Sequence, residues 1–418
     1  MKWALKIIII VLAGLSFRPT FAMPADTTQN APLQISLLTC GPGTEVYELY
    51  GHTAIRIKDT SKAEDWVFNY GTFDFDTPNF IWKFIKGQTD YTLGVVSTSY
   101  FISSYSQCHR YVHEQILNLT TTEAQRLKES LISNWQETDW TYRYNFLYDN
   151  CTTRAVRMIE NAISTNADNQ IIWPTLEQQT ELPTIRKVLH EFSQKSHPWE
   201  CFGQDLLLGS EIDQPASTSA LMFSPIYTEL FLDAAYIQEK NTGVQRPLVK
   251  EKRALNQIPV TTQSQKSDIL FSPMTSMVLL LLVTIFLGIW EWKKKKVAFI
   301  FDYLLMLFLG ITGCITTLLF FFSEHPAVDT NWLIILLNPL PLLFLPIKVL
   351  ADKKGHSSGY KKLLGLELIS FIGASLWSGQ VFPNEIYLLA VILLLRLLSN
   401  PNKSFWDIKG GFQFKITK

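Results

Sequence analysis

Polar and apolar positions divide the chain into an amphipathic first part and an apolar last third. Between residues 34 and 119, short segments alternate apolar and polar side chains with the period of two that half-buried strands show. Residues 34–39, 52–58, 66–75, 91–97 and 111–119 are the predicted strands, separated by turn signals such as Gly41-Pro42-Gly43. At Thr120 the period changes. Thr120 and Glu123 form a capping box, and Leu127, Leu131 and Ile132 carry a helix on to about Trp135. Ala155, Met158, Ile159 and Ala162 recur at spacings of three and four, which predicts a further helix with one buried face. The expected fold class is α+β, a small antiparallel sheet with helices on one side. Residues 241–268 are polar with little periodicity and read as a linker.

The last third changes solvent. Residues 274–292, 297–322, 332–350, 363–379 and 386–398 are apolar runs, mostly of membrane-spanning length, so an all-α polytopic membrane domain of about five spans is expected. Lysines 293–296, then Lys353, Lys354, Lys361 and Lys362, then Lys403, Lys409 and Lys415 lie between or after these runs. The positive-inside rule puts all three clusters, and the C-terminus, in the cytoplasm. Residues 323–331 and 380–385 carry no Lys or Arg and face out. At the other end Lys2 and Lys6, the apolar run of residues 7–15 and Thr20-Phe21-Ala22 make a secretory signal peptide. The expected organisation is residues 1–22 signal peptide, 23–240 exported domain, 241–272 linker, 273–400 transmembrane domain and 401–418 cytoplasmic tail.

Charge adds little beyond topology. Lys plus Arg and Asp plus Glu each number 37, and no basic patch with interleaved aromatics argues for nucleic acid. The informative stretch is Tyr148-Asp149-Asn150-Cys151-Thr152-Thr153-Arg154, which runs into the predicted helix. Asn150 is a good N-cap, and that places Cys151 in the first turn, where free amides and the helix dipole favour a thiolate. Alone, this reads first as a small buried cysteine at a helix start. A partner lies upstream in Glu48-Leu49-Tyr50-Gly51-His52, with His52 at the mouth of a strand where an imidazole can take the thiol proton. Asn69, polar in an aromatic strand, suits the third place of a triad and equally a hydrogen-bonded structural role; Glu48 or a backbone group is the other candidate to orient His52.

Other residues bear less weight. Of the five cysteines, Cys40 precedes a Gly-Pro-Gly turn and no helix, so it ranks well below Cys151 as nucleophile. With Cys151 free, at most one disulfide forms among Cys40, Cys108 and Cys201, and the spacing does not say which. Asp205 and Asp213 match no ligand pattern and are assigned to turn chemistry, so no metal is expected; the stretch around them suits an extension over the active site. His325, in an outward loop at a span end, either helps to bind substrate or orient the catalytic domain, or closes a helix as an ordinary polar residue.

A histidine strand that precedes an Asn-Cys helix resembles the circularly permuted NlpC/P60 and lecithin retinol acyltransferase-like group of papain-like thiol enzymes. The strings Glu48 to Arg56, Phe68 to Phe75 and Asp149 to Arg154, with the multi-span tail, resemble the Lnb family of lipoprotein N-acyltransferases over nearly the whole mature chain. The resemblance implies a papain-like, permuted NlpC/P60-type periplasmic domain and a multi-pass protein of the bacterial inner membrane. It implies Cys151 as nucleophile and His52 as base. The oxyanion is expected at the helix start, at Asn150 and Thr152; Glu48, Tyr50, Arg154 and His325 are candidates for substrate contact. The implied partners are a phospholipid acyl donor and a diacylated lipoprotein acceptor, with no cofactor. Two rivals share the residues: a wall peptidase or amidase of NlpC/P60 type, and an envelope scaffold in which His52 and Cys151 are core.

Overall fold

The computed structural model describes residues 32–73, 78–137, 141–164, 169–176, 182–259 and 271–399. The expected signal peptide, residues 401–418 of the expected tail and part of the expected linker lie outside them. Contacts divide the chain into two units: residues 1–193, 215–264 and 324–326, and residues 194–214, 265–323 and 327–418.

Among the described residues, the first unit is built on a seven-stranded sheet, and a second sheet has three strands. The strands are β1 (Leu33–Cys40), β2 (His52–Asp59), β3 (Glu64–Thr72), β4 (Asp90–Ser97), β5 (Val112–Leu117), β6 (Tyr142–Arg143), β7 (Asn169–Ile172), β8 (Tyr236–Glu239), β9 (Gln245–Pro247) and β10 (Val249–Ala254). The larger sheet runs β10-β5-β1-β2-β3-β4-β6, antiparallel throughout. The smaller runs β7-β8-β9, also antiparallel.

Alternation decides which side chains face which layer. Leu37, Ile55, Phe68 and Leu93 point to one face, where they meet Leu127 and Leu131 of helix Thr121–Gln136 and Ala155, Ile159 and Ala162 of helix Cys151–Ser164. Burial of Ile159 and Ile163 stabilises the unit by about 1.5–3 kcal/mol each. Leu38, Ala54 and Val67 point the other way, against Phe101 of helix Thr98–Gln107. The sheet is therefore packed on both faces, and the expectation of helices on one side is corrected. Helix Thr121–Gln136 starts at the expected capping box, with both reciprocal bonds of Thr120 and Glu123 in place.

Two further boundaries differ. Residues 245–254, expected as linker, form β9 and β10, and β10 pairs with the edge of β5 from Val249 to Ala254. Residues 197–213 cluster in the second unit and are ordered as helix Pro198–Leu207 and the 3-10 turn Ser210–Asp213, so Asp205 lies in a helix and not in a turn.

The second unit holds helices Pro273–Lys294, Phe299–Phe322, Leu340–Lys353, Tyr360–Trp377 and Asn384–Leu398. Among the described residues three segments are long and apolar enough to cross a membrane: Pro273–Lys294, Phe299–Phe322 and Trp332–Lys353. The last two helices, of 18 and 15 residues, fall short on composition or length: Tyr360–Trp377 carries Lys361, Lys362 and Glu367. Leu333, Leu336, Phe371, Ile386 and Leu393 form this unit's core. Arg396 holds Glu291 with two bonds of 2.8 and 3.0 Å and Asp302 with one of 2.7 Å, so its buried charge is fully engaged.

Candidate functional site

Helix Cys151–Ser164 packs its start against β2 and β3. Asn150 caps it: Oδ1 accepts from the amides of Thr152 at 2.8 Å and Thr153 at 2.9 Å. Its Nδ2 donates to the carbonyls of Phe146 at 2.9 Å and Phe223 at 2.8 Å. Both Asn150 amide protons and the Thr152 amide are thus engaged in the cap. The amide of Cys151 itself is the first-turn donor that Asn150 leaves over.

His52 opens β2, and its imidazole hydrogen-bonds the Cys151 thiol. Across the ring, Nε2–H donates to Asn69 Oδ1 at 3.2 Å. That bond occupies one ring nitrogen and orients the imidazole. Cys151, His52 and Asn69 are thus brought together, from a helix and two neighbouring strands. Glu48 is not in this line: it pairs with Arg110 at 2.7 Å.

Burial alone would suppress the Cys151 thiolate. The charge and hydrogen bond of His52, the Thr53 amide and the Thr152 hydroxyl outweigh it, and the thiol falls from 9.0 to about 7. His52 moves the other way: burial opposes its charge, but Cys151 and Asn69 hold its pKa above the ordinary 6.5. Each shift favours the charged form of its group, thiolate and imidazolium. Cys40, paired with His52 across the β1–β2 ladder, is fully buried, and burial pushes its thiol far up. The five cysteines are all unpaired, which keeps within the expectation of at most one disulfide.

The remaining candidates each have partners in the structure. Arg154 bonds Asp149 at 2.7 Å and lies 3.8 Å from the Tyr142 ring. Tyr50 packs edge-on against Phe192. Nε2–H of His325 donates to the Phe84 carbonyl at 2.6 Å, and burial lowers its pKa, so a neutral ring closes the helix Phe80–Ile85.

Two contributors were missed in the sequence. Thr53 donates its amide to the sulfur, and its hydroxyl meets that of Thr152 at 3.0 Å. Gly71 sits at φ +89°, and a Cβ there would stand 3.5 Å from Cys151 Cβ. A glycine inside an aromatic strand is a signal of a bulge, and the β3–β4 register shifts between Tyr70 and Thr72.

No curated protein and no solved structure matches the chain. Residues 21–190 match the family described as Lnb N-terminal periplasmic domain, and residues 264–404 the one described as Lnb transmembrane domain. Matched in order by both parts of one family, with its cysteine, histidine and asparagine assembled in the first part and apolar helices in the second, this membrane protein belongs to the Lnb family.

Proposed function

We propose that the protein is a lipoprotein N-acyltransferase that moves an acyl chain from a membrane phospholipid to the α-amine of a diacylglyceryl-cysteine. The observation that carries the reading is the Cys151–His52–Asn69 line at a helix start, in a chain of the Lnb family. Cys151 thiolate attacks an ester carbonyl of the phospholipid, and the Cys151 amide stabilises the oxyanion. The tetrahedral intermediate collapses to a thioester as His52 protonates the departing lysophospholipid. The acceptor amine then attacks the thioester, neutral His52 takes the amine proton, and Cys151 leaves as thiolate. The products are an N-acylated lipoprotein and a lysophospholipid, with atoms and protons balanced and no cofactor called for.

In this reading the first unit is a papain-like, permuted NlpC/P60-type domain on the periplasmic side of the inner membrane. The two shorter helices complete five spans, and the C-terminus is cytoplasmic. Tethering raises the local concentration of both lipid substrates. The test is mass spectrometry of the lipidated N-terminal peptide of a reporter lipoprotein in a host that lacks its own N-acyltransferase. A third acyl chain with the parent and none with Cys151→Ala is expected. Diacyl peptide in both, with the protein inserted, refutes the reading and returns the wall-hydrolase alternative.

A further inference from the structure

The first unit displays a row of aromatic rings that the chemistry above does not use. Tyr47 meets Phe73 at 6.2 Å between centroids, Phe73 meets Phe80 at 5.9 Å, Phe80 meets Phe84 at 6.2 Å, and Phe84 meets His325 at 5.6 Å. The row begins beside the nucleophile: Phe73 follows Gly71 by two residues, and Gly71 faces Cys151. It ends on helix Phe80–Ile85, which leaves Ile81 75 %, Trp82 49 % and Phe84 49 % exposed. An unburied isoleucine beside a tryptophan and a phenylalanine is the composition of a lipid-facing element. Lys83 and Lys86 come from the same turn, and Lys86 Nζ lies 5.2 Å from the Trp82 ring centroid. Ammonium groups at that position suit lipid phosphates.

The chain itself says which surface the patch meets. The Glu324 amide donates to the Lys86 carbonyl at 2.8 Å, and His325 to that of Phe84, so residues 324–325 cap this helix. Gly87 permits the contact: it lies at φ +69°, and a Cβ would come within 2.7 Å of the His325 nitrogen. Glu324 follows Phe322, the last residue of a 24-residue apolar helix, by two residues. Two residues span at most about 7 Å. The helix Phe80–Ile85 is therefore bonded to residues that directly follow, along the chain, a segment long and apolar enough to cross a membrane.

We propose that helix Phe80–Ile85 inserts into the outer face of the phospholipid bilayer and that the aromatic row leads a lipid acyl chain from there to Cys151. The occupant is a glycerophospholipid surface, not a protein. The delivery half rests on the acyl-transfer reading; the insertion half does not.

The experiment uses the full chain in phosphatidylethanolamine/phosphatidylglycerol nanodiscs. With Cys108, Cys151 and Cys314 replaced by Ser, a nitroxide is placed at Ile81→Cys or, as control, at Tyr100→Cys, which is 64 % exposed on another helix. Relaxation of the label at 81 by oxygen more than by an aqueous nickel chelate, with the reverse at 100, is expected. Equal access of the chelate to both positions overturns insertion, whatever the transfer assay gives. Separately, in the Cys151 protein, Ile81→Glu/Trp82→Glu is expected to slow reporter acylation at least about tenfold, while Cys151 alkylation by a water-soluble reagent keeps its parental rate. Unchanged acylation overturns delivery. Insertion without acyl transfer by the parent overturns the proposed function alone.

Discussion

Replacing His52 by Ala tests the electrostatics of the site directly. In the parent the Cys151 thiol stands at about 7 against an ordinary 9.0, although burial pushes it upward. The two-unit fall is a net effect, about 2.7 kcal/mol in favour of the thiolate. The lowering interactions exceed that figure by whatever burial costs, and His52 supplies the first two of them. Without His52 the thiol is expected to rise toward 9. At pH 7 the thiolate fraction then falls from about one half toward about one hundredth, roughly fiftyfold for the full rise. The assay is the pH dependence of iodoacetamide alkylation of Cys151 in a Cys108→Ser/Cys314→Ser background, since Cys40 and Cys201 are buried. The parent rate should rise through a midpoint near 7; that of His52→Ala should still be climbing at 9. A variant midpoint that stays near 7 refutes the ion-pair argument, because something other than the imidazole would then be lowering the thiol.

The same assay grades Asn69→Ala: loss of the 3.2 Å bond removes one support of the imidazolium, and the alkylation midpoint should move up by about half to one unit. Asn150→Ala removes the cap and strands the Phe146 and Phe223 carbonyls, so thermal unfolding should report a loss of at least about 1–2 kcal/mol. Gly87→Val collides with the Glu324–His325 backbone, and limited proteolysis near residue 324 should accelerate with alkylation of Cys151 unchanged. In the second unit, Arg396→Met leaves Glu291 and Asp302 without their cation and should cost about 3–5 kcal/mol in detergent-solubilised protein.

What the sequence could announce depended on how many neighbours each residue answers to. The strands around Leu37, Ile55 and Phe68 alternate because each lies in mid-sheet with a core beneath it, and Thr120 and Asn150 are legible because a cap is a local device. The strand Lys250-Glu251-Lys252-Arg253 was invisible: it is an edge, five of its six residues are exposed, and polar side chains there satisfy no period. Helix Thr98–Gln107 buries only Thr98 and Phe101, so its serine-rich sequence gave no warning that the sheet is covered on a second face. At the centre, the cysteine and histidine stood out by residue type. Thr53 and Gly71 act through a backbone amide and through the absence of a side chain, neither of which a residue name declares.

The clamp on Asn150 has a consequence for biosynthesis. One of its two carbonyl partners belongs to Phe223, the open edge of β5 is closed only by β10, and the helix beside the site is capped by Glu324 and His325. A chain emerging from its N-terminus therefore holds all three residues of the Cys151–His52–Asn69 line long before it holds the pieces that set them. Release as a fragment at residue 190, where the family match ends, would leave the helix Cys151–Ser164 without the Phe223 carbonyl that anchors its cap. The cap on helix Phe80–Ile85 is in place only after two apolar helices have been made, so closure of that helix is ordered behind their synthesis, whereas the Asn150 clamp is complete once Phe223 is made.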